Sequence, residues 1–291
     1  MMTATTDLAL HRAVEAAHHL TDPEPPWPDI LDGVRQVLGG DSASFIMLDG
    51  TGALLTLEQV HVDPLAELEY ASHYHAQDIV TPATIGAGEG TWFDTQELFS
   101  PSTLSRNGYY VDFMCRHRMR QMLTYIVEEN PQRRGGLTVQ RSEPHDHARW
   151  QFESTPIRKL AGTMQEAVLR RREMANHWYD SAESGFCAFD EALCMVNSNG
   201  AMLRMSPKAQ GWLGDGTALR VRGGRLWHPA EAFRARLLDA LERVVAHGTP
   251  ERLTVPAHQK SDGLLLDLAP ADARLRLGRE SSVLVRMLRL A

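Results

Sequence analysis

The spacing of apolar residues predicts helices at the start of the chain and strands after them. Leu10, Val14 and Ala17 recur at helical intervals. A second apolar stripe follows Pro28, a residue that suits the first turn of a helix. Two apolar runs then flank the Gly-rich segment 49–52, which indicates a β-hairpin. The first fifth of the chain therefore predicts two helices and a hairpin.

The next segments add a helix, a loop and a second hairpin. Pro64 begins another helical stretch. Residues 79–107 lack periodicity and are rich in Gly, Pro, Thr and Ser, so we expect a long loop there that forms a lid or a pocket wall. A helix beginning near Ser105 and two strand-like runs at 121–130 and 136–143 follow. This order predicts an α+β unit with an antiparallel sheet.

From Asp146 onward the pattern is helical over a long stretch. Its apolar residues approximate a heptad stripe, namely Ile157, Leu160, Met164 and Val168. We expect Ser184-Gly185 to break the helix and to begin a second unit of short strands and helices. The stripe can pair with the same helix of a second subunit, which predicts a homodimer, or it can pack inside its own chain.

Composition narrows the class of protein. The chain has 291 residues, 43% of them hydrophobic, and a formal net charge of −7, so it can bury a large core and has no overall attraction for nucleic-acid phosphates. Its three cysteines include no CxxC pair, which is typical of a reduced, cytoplasmic protein. No segment resembles a signal peptide or a membrane span. We therefore expect a cytoplasmic protein that does not enter a membrane.

The stretch 69–82, EYASHYHAQDIVTP, carries the first candidate site. Tyr70, Tyr74 and Asp78 are four residues apart, a spacing that puts them on one face of a helix. A carboxylate can accept a hydrogen bond from a ligand, and phenol rings form flat apolar walls. Trp92 and Tyr110 are further candidates for the walls of the same pocket. The alternative is that the tyrosine rings pack in the core and Asp78 caps the helix.

Metal and catalytic patterns are weak. His73 and His75 alternate along a helix and so face apart, whereas His145, Asp146 and His147 can converge on a loop. Neither group has further ligands at regular spacing, and the sequence contains no nucleophile elbow, phosphate-binding loop or HExxH motif. We predict no metal, no cofactor and no enzymatic activity. An enzyme centred on residues 145–147 is the alternative.

Five stretches follow one another along the chain: WPDILDGVRQVLGGDSASFIMLD, YASHYHAQDIVTP, NGYYVDFMCRHRM, LRRRE and GDGTALRVRGGRLW. In this order they resemble the N-terminal portion of bacterial LuxR-type (GerE-type) transcriptional regulators. The resemblance implies a GAF-like sensor domain over residues 1–150, a connecting helix over 151–180 and a PAS-like domain over 181–291. In such regulators a DNA-binding helix-turn-helix follows the last strand, and no stretch of this sequence resembles it.

The resemblance also implies a function. It predicts a ligand-sensing and dimerisation region that binds a small, largely apolar effector and relays its occupancy to a DNA-binding domain. DNA is then a partner only through a helix-turn-helix that these residues do not include. The alternative is a stand-alone interaction protein that heterodimerises with related regulators and silences them.

Overall fold

The chain folds into two compact units. The computed structural model describes residues 4–50, 52–131, 133–146, 148–214, 218–256, 263–276 and 282–290. The first unit takes the chain up to Leu48 and from Thr56 to Arg171. The second takes the short segment Asp49–Leu55 and the chain from Arg172 onward.

A five-stranded sheet organises the first unit. Its strands are Ser42–Asp49 (β1), Leu54–Val60 (β2), Trp92–Asp94 (β3), Gln121–Glu129 (β4) and Arg133–Arg141 (β5). Their order across the sheet is β2–β1–β5–β4–β3, and β4 pairs with both of its neighbours in antiparallel fashion. The two predicted hairpins, β1–β2 and β4–β5, therefore lie side by side in one sheet, with β1 next to β5.

Eight α-helices surround or extend this sheet in chain order within the described residues. They are Ala4–His18 (α1), Trp27–Leu38 (α2), Pro64–Ser72 (α3), Val80–Ala83 (α4), Thr95–Leu98 (α5), Pro101–Leu104 (α6), Ala148–Phe152 (α7) and Thr155–Cys187 (α8). Pro28 lies in the first turn of α2, as the sequence predicts, and Gly39 ends that helix in the left-handed conformation (φ 67°).

The two faces of the first sheet differ in chemistry. On one face, Phe45 stacks on Trp27 of α2 with ring centroids 3.9 Å apart, and Leu123 and Val139 are directly paired and fully buried. On the other face, Thr124 pairs with Thr138. Because side chains alternate along a strand, one face forms an apolar core and the opposite face carries hydroxyl and amide groups.

Two predictions about local structure in the first unit are wrong. Helix α3 ends at Ser72, so Tyr74 begins a short 3-10 helix and Asp78 lies beyond it; the three residues do not share one helix face. The segment 79–107 is not a continuous loop, because it contains α4, β3, α5 and α6. In addition, the helix expected after Ser105 contains a π-helix, Tyr109–Met114.

Helix α8 runs through the expected break at Ser184-Gly185. The Ser184 hydroxyl donates to the Asp180 carbonyl (2.8 Å), a bond that helical serine makes within its own helix. A glycine costs a helix only about 1 kcal/mol, which a helix of 33 residues tolerates. The helix break predicted at this dipeptide is therefore wrong, and the helix ends at Cys187.

The second unit is also α+β. Its strands are Ala192–Asn197 (β6), Met202–Met205 (β7), Arg220–Arg222 (β8), Arg225–Trp227 (β9), Glu251–Val255 (β10), Leu264–Pro270 (β11) and Ser282–Arg289 (β12). Five of them form an antiparallel sheet in the order β10–β11–β12–β6–β7, and β8 pairs with β9. The helices Pro207–Gly214 (α9) and Glu231–His247 (α10) contribute Trp212 and Phe233 to its core.

The predicted fold class is confirmed. Both units combine helices with a sheet in which antiparallel pairing dominates, so the chain is α+β. Among the described helices, none is both long and apolar enough to cross a membrane.

Candidate ligand-binding site

A cavity of about 70 Å³ lies against the polar face of the first sheet. Strands β1, β2, β4 and β5 contribute one wall, and α3, α4 and the π-helix contribute the other. Its apolar lining includes Ile46, Leu48, Val62, Phe113, Met122 and Ile126. One water needs roughly 10–15 Å³ by the same kind of measure, so the cavity has room for about five waters or a small organic molecule.

Tyr70 and Asp78 both line the cavity and bind each other. The Tyr70 hydroxyl donates to Asp78 Oδ2 (3.1 Å), and the Thr81 hydroxyl donates to the same oxygen (2.9 Å). Asp78 Oδ1 accepts from the backbone N–H groups of Val80 (2.7 Å) and Thr81 (3.3 Å). Four donors of the chain therefore occupy this carboxylate, which holds the start of α4.

Burial changes the acid–base behaviour of this pair. Withdrawal from water raises the pKa of Asp78 above its ordinary value of 3.8, against the lowering effect of its four hydrogen bonds. Withdrawal from water also raises the pKa of Tyr70 well above 10.0, and the nearby Asp78 carboxylate adds to that rise. The tyrosine is therefore a neutral hydrogen-bond donor at physiological pH.

Arg134 is the cation of the cavity wall, and the chain itself uses its guanidinium. It donates to the carbonyl of Thr81 (2.7 Å) and to the carbonyl and hydroxyl of Thr84 (2.5 and 2.6 Å). Its Nε lies 3.6 Å from Glu129 Oε1. Arg134 thus ties β5 to α4 by pairing with carbonyl groups at the helix end.

Two polar groups of the lining behave differently. The side-chain oxygen of Gln59, Oε1, is shielded from solvent and accepts no hydrogen bond from the described residues. Tyr109 is 3% exposed, and its hydroxyl makes no hydrogen bond with the described part of the chain. Burial raises the pKa of Tyr109 well above 10.0, with smaller contributions from Asp78 and Tyr70, so its proton is retained. Both groups retain hydrogen-bonding capacity within the lining of the cavity.

The sequence analysis did not identify Gln59, Tyr109 or Arg134 as site residues. A signal for Gln59 exists in β2, where it follows Leu57 by two residues and therefore shares its face. Other strands also place polar side chains on the face that lines the cavity. Gln140 donates to Ser44 (2.8 Å), and the Thr124 and Thr138 hydroxyls lie 3.1 Å apart. Polar residues at the inward-facing positions of several strands indicate a pocket wall and not an ordinary apolar core.

Tyr74, Trp92 and Tyr110 lie outside the cavity lining. Tyr74 stacks on Phe113 (4.7 Å between centroids) and so supports a lining residue from behind. The Tyr110 hydroxyl donates to the Arg120 carbonyl (3.0 Å). Trp92 is paired with Tyr125 and stacks on Phe152 (4.7 Å), which places it on the opposite face of the sheet.

The proposed dimer stripe is covered within the single chain. Ile157, Leu160, Met164 and Val168 are each 2% exposed. These side chains are therefore buried within the single chain, and their pairing with a second subunit stays a prediction.

Nothing in the described ranges forms a metal centre. No group of three or more His, Cys, Asp or Glu side chains converges there. His145 and Asp146 are exposed, and His147 lies outside the described residues.

Comparison with known proteins gives only distant similarities. No family model matches the chain, and no curated protein does. The VqsR LBD domain from Pseudomonas aeruginosa aligns at 16% identity over 57% of this chain and 98% of that one, with a TM-score of 0.44. CepR2 from Burkholderia cenocepacia, an N-acylhomoserine lactone dependent LuxR-family factor, aligns at 16% identity over 58% and 98%, with a TM-score of 0.44. Escherichia coli SdiA aligns at 14% identity over 64% and 81%, with a TM-score of 0.34. These values are too low to assign a family or a ligand to this chain.

Proposed function

We propose that the first unit reversibly binds a small, neutral, largely apolar molecule in its cavity and is the sensory region of a transcriptional regulator. The observation that carries the binding proposal is the cavity itself, whose mostly apolar lining includes a shielded, unpartnered carbonyl oxygen at Gln59. The regulator part of the proposal rests on the sequence resemblance to LuxR-type proteins.

An ordinary packing defect is a poorer explanation for this cavity. Dry voids in protein cores are apolar, and a buried acceptor without a partner costs about 1–3 kcal/mol. This cavity combines space with hydroxyl, amide and carboxylate groups on the sheet and helix walls. Pockets for small molecules have this mixture of apolar walls and a few placed polar groups.

Strand β4 offers a route by which occupancy can reach α8. Thr124 and Ile126 line the cavity, and Tyr125 between them points to the other face. The Tyr125 hydroxyl donates to the Ala161 carbonyl of α8 (3.3 Å) and lies 3.4 Å from Gln165 Oε1. We propose that ligand binding shifts β4 and thereby changes this contact with α8. The ligand must then bind one position of the strand more tightly than the other.

Native mass spectrometry of the purified chain, with and without a denaturing step, tests the binding proposal. We expect a small mass that is lost on denaturation. Gly136→Val narrows the cavity, because a Cβ at Gly136 lies 3.5 Å from Thr124 Cγ2, an ordinary contact distance. Gly162→Ala in α8 is the matched control, since nothing lies within 4 Å of the added carbon.

The expected result is an adduct on the wild type and on Gly162→Ala that is lost in folded Gly136→Val. Circular dichroism establishes that the variants are folded. An adduct that survives Gly136→Val unchanged contradicts binding in this cavity. A bare wild-type chain that also gains no thermal stability from a library of small neutral compounds contradicts the proposed function as a whole.

A further inference from the structure

We infer that Gln59 and Tyr109, rather than the Tyr70–Asp78 pair, make the polar contacts to the ligand, and that the ligand is a compact neutral molecule carrying a hydroxyl or amide group. This inference rests on the proposed function and names the ligand class of the same cavity. It follows from which polar groups of the lining still have hydrogen-bonding capacity.

Gln59 sets the requirement for a donor. Its Oε1 atom is shielded from water, so an N–H or O–H group of a ligand is the partner that relieves its cost. A hydroxyl or an amide supplies this donor, whereas an ether does not.

Tyr109 supplies the second contact. It belongs to the π-helix, and its ring lies 5.4 Å from that of Phe113, which also lines the cavity. Its hydroxyl makes no hydrogen bond with the described residues and can therefore donate to a ligand oxygen or accept from a ligand N–H. π-Helical segments are rare and frequently occur at functional sites.

The charged groups of the lining disfavour an anion. Asp78 is surrounded by four chain donors and offers no unused donor of its own. Arg134 directs its guanidinium to the Thr81 and Thr84 carbonyls and to Glu129, so it is committed to the chain. A carboxylate ligand would enter beside Asp78, and the lining residues that the structure describes offer no free cation to balance it.

Three probes of similar size separate these requirements: 1-butanol, its isomer diethyl ether, which lacks the O–H donor, and butyrate, which adds a charge. Each has five or six heavy atoms, in keeping with a cavity that holds about five waters. Ligand-detected NMR titrations of the full chain measure the dissociation constants. The variants are Gln59→Leu and Tyr109→Phe, with Gly162→Ala as the control outside the cavity.

For the wild type and Gly162→Ala we expect butanol to bind about tenfold more tightly than the ether, the effect of one hydrogen bond, and butyrate to bind most weakly. We expect Gln59→Leu to reduce the butanol-to-ether ratio to near one while ether binding persists, and Tyr109→Phe to weaken butanol by several-fold.

Equal binding of butanol and ether, or a preference that survives Gln59→Leu, overturns the inference but leaves cavity binding intact. Preferred binding of butyrate overturns the neutral ligand class. If Gly136→Val does not weaken any of the three probes, the cavity is not their site and the proposed function fails instead.

Discussion

Tyr70 and Tyr109 line the same cavity and differ in one respect. Both rings are buried, at 5% and 3% exposure, and both contact Phe113. The Tyr70 hydroxyl donates to Asp78, whereas the Tyr109 hydroxyl has no partner among the described residues. We therefore expect the first phenol to stabilise the fold and the second to contact a ligand. Two identical side chains would then have different roles because of what surrounds their oxygen atoms.

The comparison extends to the whole lining. Asp78 and Arg134 hold α4 through hydrogen bonds to its backbone, and their removal should reduce stability before it affects binding. Gln59 should show the reverse. Mutations can therefore sort the lining into a supporting set and a binding set.

The largest expected effect is that of Asp78→Ala. It leaves two hydroxyls and two backbone N–H groups without their acceptor, so we expect a loss of about 3 kcal/mol in the free energy of unfolding. Denaturant titration measures it, with the exposed Asp112→Ala as control at under about 0.5 kcal/mol. A loss similar to that of the control would show that the four bonds add nothing.

Arg134→Met should cost about 2 kcal/mol, since it leaves the carbonyls of Thr81 and Thr84 without their donor. Methionine keeps much of the apolar stem, so the change reports mainly on the guanidinium. The exposed Arg106→Met is the control. Equal stability of the two variants would mean that Arg134 does not support α4.

The pair Tyr70→Phe and Tyr109→Phe addresses the comparison directly. We expect about 1.5 kcal/mol of destabilisation for the first, which loses a hydrogen bond to a carboxylate, and under about 0.5 kcal/mol for the second. Thermal or denaturant unfolding without added ligand measures both. Equal losses would remove the distinction between the two phenols.

The smallest effect is the pH dependence contributed by Asp78. Its pKa in the folded chain is raised by burial above 3.8, so between that value and the raised pKa the folded chain holds a proton that the unfolded chain has released. This contribution to stability is complete below pH 3.8 and is lost as the pH rises through the folded pKa. As the pH rises through this range, the free energy of unfolding of the wild type should fall relative to that of Asp78→Asn. Denaturant unfolding at several pH values measures both, and an equal pH dependence of the two proteins would contradict the prediction.

The sequence predicted the elements that depend on local signals. Pro28 lies in the first turn of α2, β1 and β2 lie on either side of the predicted turn, and the order of elements indicated α+β units. It failed where tertiary packing decides. Helix α8 continues through Gly185, and α3 stops at Ser72 although its four-residue spacing continues to Asp78. Helix propensity and hydrophobic periodicity do not determine where these two helices end, because tertiary packing overrides them.

The candidate site was predictable only in part. Tyr70 and Asp78 were found because aromatic and acidic residues at helical spacing are conspicuous, but their partners in space were not. Trp92 was placed among the pocket walls, yet its pairing with Tyr125 puts it on the opposite face. Gln59 was missed because the sequence does not show which face of β2 points to the cavity, and a glutamine in a strand is significant only on the inward face.

The π-helix has a consequence for how this protein can change. Six residues there make a wider turn than an α-helix, which amounts to one residue more than the regular ladder accommodates. Removing the exposed Val111 would restore an α-helical ladder and abolish the wide turn that carries Tyr109 and Phe113. Its exposed positions, Val111 and Asp112, should therefore accept substitutions, whereas a change in the length of the segment should alter the cavity wall.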